Sequence, residues 1–83
     1  MEFLYTARFL RSLKKLPVLV SDDCVHAVEL FKNGKRRELK FHKLHGKLKG
    51  LYSFSANFSY RILVRVEKET VYFMDVGSHV IYD

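Results

Sequence analysis

The hydrophobic pattern of this chain changes period once, and that change constrains the fold more than any other feature. Before residue 34 the apolar residues fall at helical spacing. Phe9, Leu10, Leu13 and Leu16 form one run, and Cys24, Ala27, Val28 and Phe31 form a second. Each run marks one face of a helix. After residue 50 they alternate. Tyr52 and Phe54 point one way, with Ser53 and Ser55 opposite. Ile62, Val64 and Val66 point one way, with Arg61, Leu63 and Arg65 opposite. That is the period of a pleated strand. Helical stripes followed by strict alternation predict helices packed on one face of a sheet, with Ser53, Ser55, Arg61 and Arg65 on the face that the core leaves open.

Local signals set the boundaries. Residues 2–5 are short, apolar and β-prone, and read as a first strand. Thr6 is placed to cap the first helix. Pro17 interrupts the backbone, and the second helix starts at Val18, or at Ser21 as its cap, with Asp22 and Asp23 complementing the N-terminal dipole. Asn33-Gly34 stops it. Asn57 marks one turn and Glu67-Lys68-Glu69 another. Thr70 to Val76 reads as the last strand, after which Gly77-Ser78-His79 turns the chain. The expectation is an α+β domain spanning residues 1–83, with a small antiparallel sheet and two N-terminal helices on one face. No run approaches the roughly 18 apolar residues of a membrane span, and the start resembles no signal peptide. Cys24 is the single cysteine, so no disulfide framework is expected and the cytoplasm is the expected location. The spacing also predicts that Cys24 belongs to the core and that His26 is an exposed helix residue.

Between the two patterns lies Phe41-His42-Lys43-Leu44-His45-Gly46-Lys47-Leu48-Lys49-Gly50. It cannot fill a core, because a buried ammonium without a partner costs several kcal/mol. The formal net charge is +6, and from Lys32 to Lys49 eight basic residues face the single acid Glu38. Such a surface suits a polyanion, and the loop reads as a site for a phosphate backbone, with Lys43, Lys47, Lys49 and His45 as contacts and Arg65 beside them on the sheet. Histidines add groups that titrate near neutral pH. Cutting RNA without a metal needs a base for the 2′-hydroxyl, a cation for charge on the phosphoryl oxygens and an acid for the leaving 5′-oxygen. Imidazoles fit both proton-transfer roles and Arg61 the cation. Tyr52, Tyr60 or Tyr82 would stack on a base. A metal held by His42, His45, His79 and Asp75 is the weaker alternative, because adjacent lysines repel a cation and no cysteine pair supports it. No cofactor is expected.

Three segments together resemble a known family. Leu44-x-Gly46-x-Leu48-x-Gly50, then Tyr60-Arg61-Ile62-Leu63-Val64, then Asp75-Val76-Gly77-Ser78-His79 with Tyr82 are similar to the RelE/ParE toxin superfamily of bacterial toxin–antitoxin systems, and within it to the RelE/StbE and YafQ-like mRNA interferases. The resemblance implies a β-α-α-β-β-β toxin domain. It also implies a metal-independent endoribonuclease that cuts mRNA in the ribosomal A site, inhibits translation, and is silenced in a hetero-oligomer with a cognate antitoxin. Carried over by position, His42 matches the general base, Arg61 the arginine at the scissile phosphate, His79 the C-terminal acid or base, and Tyr82 the terminal aromatic. YafQ-like relatives carry a further His and Asp near the turn where this chain has Ser55 and Ser59. A ParE-like inhibitor of DNA gyrase with no nuclease activity is the alternative from another class, and an inactive basic nucleic-acid-binding module is a third.

Overall fold

The computed structural model describes residues 1–78. The order is β1 (Glu2–Tyr5), α1 (Ala7–Lys14), α2 (Val18–Lys32), β2 (His42–Lys43), a single 3-10 turn (Gly46–Leu48), β3 (Leu51–Ser55), β4 (Tyr60–Glu67) and β5 (Thr70–Ser78). One five-stranded sheet forms in the order β1-β5-β4-β3-β2. The meander β2–β5 is antiparallel, whereas β1 runs parallel to β5, pairing Phe3 with Val71 and Tyr5 with Phe73. The α+β architecture with both helices before the meander is as expected; β2 and the parallel edge are additions to it.

The turn into α1 shows how one residue joins two elements. The Thr6 hydroxyl oxygen accepts a hydrogen bond from Phe9 N–H at 3.2 Å, capping the helix, and the same hydroxyl donates to Phe73 O of β5 at 2.7 Å. α1 therefore continues along the edge of β5 where β1 stops. Within it Phe9 is buried, but Leu10 is 46% exposed, so its place in the expected stripe is corrected. The helix ends at Lys14, before two further residues lead to Pro17.

Pro17 itself starts α2. No side chain caps that end, Ser21 lies inside the first helical turns with its N–H bonded to Pro17 O, and Asp22 and Asp23 fall beyond the first turn. A fixed φ of −55° preorganises the proline for this position, which is why Ser21 is not needed as a cap. The C-terminus follows expectation: Lys35 N–H bonds Leu30 O and Gly34 N–H bonds Phe31 O, with Gly34 at φ 83°. That is a Schellman closure, and the left-handed backbone favours glycine. Cys24, Ala27, Val28 and Phe31 are all buried. They meet Phe54, Ile62, Val64, Val71, Phe73 and Val76 of the sheet in one core. Phe31 lies at its centre, stacked on Phe54 at 4.6 Å between centroids and edge-on to Phe73 at 6.0 Å.

Two strand expectations need correction. β5 does not turn at Gly77 but pairs with β4 through Ser78, because Arg61 and Tyr60 continue the ladder opposite Gly77 and Ser78. The second face of the sheet is not open throughout. Ser53 is fully buried and Leu63 is 6% exposed, for Ser53 is the shortest side chain in a cross-strand row between His42 and Leu63.

Candidate active site

The basic loop is built as a closed hairpin rather than a free coil. Leu44 N–H bonds Leu51 O at 2.9 Å, and between them Gly46 and Gly50 take φ of 68° and 94°. These left-handed conformations explain the glycines at both positions. His42, Lys43, His45, Lys47 and Lys49 are all exposed on it. Lys43, His45 and Lys49 rim an open cleft of about 490 Å³ whose base includes Tyr52 and Val66. Four of the expected RNA contacts are thus brought to one end of the sheet, three of them around one cleft.

His42 sits on the edge strand, opposite Ser53. Its Nδ1 lies 2.8 Å from Lys40 O. A carbonyl only accepts, so Nδ1 carries the proton and Nε2 of the neutral ring keeps its lone pair. Lys40 presents that carbonyl from a left-handed backbone at φ 57°. A ring held in one tautomer by a backbone acceptor is the arrangement a general base requires.

Arg61 lies on β4 opposite Ser55, and His42 lies opposite Ser53. Both therefore project to the same face, one strand apart on either side of β3 and staggered by two residues. Strand geometry puts their Cα atoms roughly 12 Å apart. Of the two β3 serines between them, Ser55 is partly exposed and Ser53 is fully buried. The Arg61 guanidinium is partly engaged: Nη1 donates to Asn57 O, Phe58 O and Tyr60 O at 3.0, 3.2 and 3.1 Å. All three bonds fall on Nη1, which leaves Nε and Nη2 for an anion among the described residues.

Other candidates are placed differently. Arg65 Nε lies 2.7 Å from Glu67 Oε1, and its guanidinium stacks 4.8 Å from the Tyr72 ring centroid. Its charge is already neutralised by an acid two residues along the strand. Tyr52 is half-buried, stacked on Phe41 at 5.0 Å while also lining the cleft of the basic hairpin, so its ring is shared between the core and that cleft. Asp75 accepts from Ser12 Oγ at 2.6 Å and Arg8 Nε at 3.0 Å, which commits the carboxylate to α1 rather than to a metal. Burial pushes the Cys24 thiol up to about 11, with the Asp23 carboxylate as a smaller contribution; it is inert core. His79 and Tyr82 lie outside the described residues.

One group escaped sequence reasoning. Glu38, Lys40, Ser55, Asn57, Phe58 and Arg61 line a second cleft, of about 370 Å³, at the β3–β4 turn. Nothing in the local pattern links residues 38–40 to 55–61. Ser55 N–H bonding Leu39 O at 2.8 Å brings them together.

No protein-family model matches the chain, and no curated protein matches it significantly. Solved structures do. YafQ from Escherichia coli aligns over 98% of this chain and 96% of its own, with a TM-score of 0.77 at 14% identity. A chain of the RelB–RelE antitoxin–toxin complex from Methanococcus jannaschii aligns over 96% and 95%, with a TM-score of 0.75 at 24% identity. A chain of the toxin–antitoxin complex RelBE2 from Mycobacterium tuberculosis aligns over 93% and 95%, with a TM-score of 0.68 at 28% identity. The chain has the RelE/ParE toxin fold. Each alignment runs over nearly the whole of both chains. No helix among the described residues is long and apolar enough to cross a membrane.

Proposed function

We propose that this chain is the toxin of a toxin–antitoxin pair and a ribosome-dependent, metal-independent mRNA endoribonuclease. The observation that carries the proposal is His42, exposed and held through Nδ1 to Lys40 O, on the same sheet face as Arg61. In this mechanism Nε2 takes the proton of the 2′-hydroxyl, and the oxygen attacks the adjacent phosphorus. Arg61 stabilises charge on the phosphoryl oxygens. The 5′-oxygen leaves with a proton from the acid, the role assigned to His79, with Tyr82 stacked on a base. The products are a 2′,3′-cyclic phosphate and a 5′-hydroxyl. Lys43, His45, Lys47 and Lys49 hold the RNA and ribosome by charge, with Arg65 a weaker contributor because Glu67 already faces it.

The partner half of the proposal is supported by apolar side chains left outside on the helices. Val18 and Leu19 are 74% and 79% exposed, and Leu10 and Val25 flank a small apolar cleft between α1 and α2. A monomer has no use for such a patch, whereas an antitoxin segment covers it. The relatives from Mycobacterium tuberculosis and Methanococcus jannaschii were themselves seen in toxin–antitoxin complexes.

The test is induced expression in bacterial cells with transcript ends and plasmid supercoiling followed together. Cuts confined to translated stretches of mRNA, with normal supercoiling, are the expected result. Broken DNA with intact transcripts would assign the chain to gyrase inhibition instead.

A further inference from the structure

Phe58 is 95% exposed, more than any other large apolar side chain among the described residues. The turn that carries it is nevertheless tied down from several directions. Asn57 Oδ1 accepts from Ser59 N–H and Tyr60 N–H, both at 2.9 Å, and Asn57 Nδ2 donates to Asp23 of α2 at 2.9 Å. Arg61 Nη1 binds three of the turn's carbonyls, Phe58 O among them. Many hydrogen bonds thus hold an unburied aromatic ring in place, and folding alone gives no reason for that.

The surroundings indicate what the ring meets. Phe58 lines the cleft with Glu38, Lys40, Ser55, Asn57 and Arg61, all polar or charged. Beside Phe58 the cleft offers a protein partner only the aliphatic stems of charged side chains and no second apolar residue. A nucleotide has a flat π face for the ring and an anion for the cations beside it. Lys40 and Arg61 supply those cations, beside the acids Glu38 in the lining and Asp23 behind Asn57. We propose that Phe58 is a stacking platform for one base of single-stranded RNA, with an adjoining phosphate on Arg61 and Lys40. The turn then holds the strand in register with His42. This deepens the ribonuclease reading and rests on it for the nature of the strand.

Stacking is separable from mere apolar contact by substitution. Phe58→Leu keeps an apolar side chain without a flat face, and Phe58→Trp keeps the face. The probe is a short RNA with 2-aminopurine as one base and 2′-O-methyl groups to prevent cutting, titrated with the full chain. Its fluorescence is quenched on stacking. Wild type and Phe58→Trp are expected to quench it, and Phe58→Leu to weaken binding by at least about fivefold and lose the quench. Because the 2′-O-methyl probe cannot be cut, the platform is scored even if the chain cuts nothing. Equal binding and quenching by Phe58→Leu would overturn the proposal and leave the ribonuclease reading standing. Absence of any quench with wild type would overturn it whatever the cleavage assay shows. Loss of antitoxin capture by Phe58→Leu with unchanged quenching would instead make the turn a protein contact.

Discussion

At the residue scale the candidate chemistry depends on which polar side chains already have partners. His42 is exposed and held by one carbonyl contact through Nδ1, and among the described residues Nε2 has no hydrogen-bond partner. Arg65 and Asp75 are engaged with Glu67 and with Arg8 and Ser12. Removing either proton-transfer group, by His42→Ala or His79→Ala, is expected to lower single-turnover cleavage on programmed ribosomes by roughly 10²–10⁴-fold. Arg61→Ala is expected to cost roughly 10²–10³-fold through lost charge stabilisation. His26→Ala, on the exposed side of α2, is expected to leave the rate unchanged. Full activity in both histidine variants would remove the acid–base assignment, and loss of wild-type activity on adding a chelator would restore a metal. Arg61→Ala needs its folding checked separately, since the same side chain holds the Asn57–Tyr60 turn.

At the element scale, junctions matter more than the elements themselves. α1 is eight residues long, too short to persist alone in water, so it depends on its cap and on β5. Thr6 provides both. Thr6→Ala removes a helix cap, typically worth about 1 kcal/mol, together with a part-buried bond to Phe73 O of similar size. A loss of roughly 1–2 kcal/mol in a denaturant titration is expected, with Thr6→Ser recovering most of it. A change within about 0.3 kcal/mol would show that α1 is held by packing of Phe9 alone.

At the scale of the whole molecule, basic side chains cluster from Lys35 to Lys49 against the single acid Glu38, while the helices carry exposed apolar side chains. Two surfaces of different chemistry therefore suit the two partners proposed above. Lys47→Ala and Lys49→Ala are expected to weaken RNA or ribosome binding and to flatten its dependence on salt. Each should lower the slope of log K against log salt by roughly 0.7 for single-stranded RNA, without changing single-turnover cleavage at saturation. An unaltered slope in the double variant would mean that these ammonium groups face solvent and not phosphate.

What the sequence determined by itself is what depends on near neighbours. The stripe Cys24–Ala27–Val28–Phe31, the stop at Asn33-Gly34, the Thr6 cap and the alternation through β4 are each encoded within a few residues, because backbone hydrogen bonding and side-chain period are local. The basic hairpin with His42 was legible for the same reason: charge in that density has only solvent or an anion to face. What the tertiary structure alone decided depends on residues distant in sequence. Tyr52 was drawn into a stack with Phe41, Ser53 was buried between His42 and Leu63, and β1 joined β5 in parallel, pairing Glu2 with Thr70. Phe58 was left outside in a braced turn beside Glu38 and Lys40, although its place in the sequence gives no sign of it. Alternation assigns a side chain to a face of a sheet, but only the strands paired on either side determine whether that face is covered, engaged or free to bind.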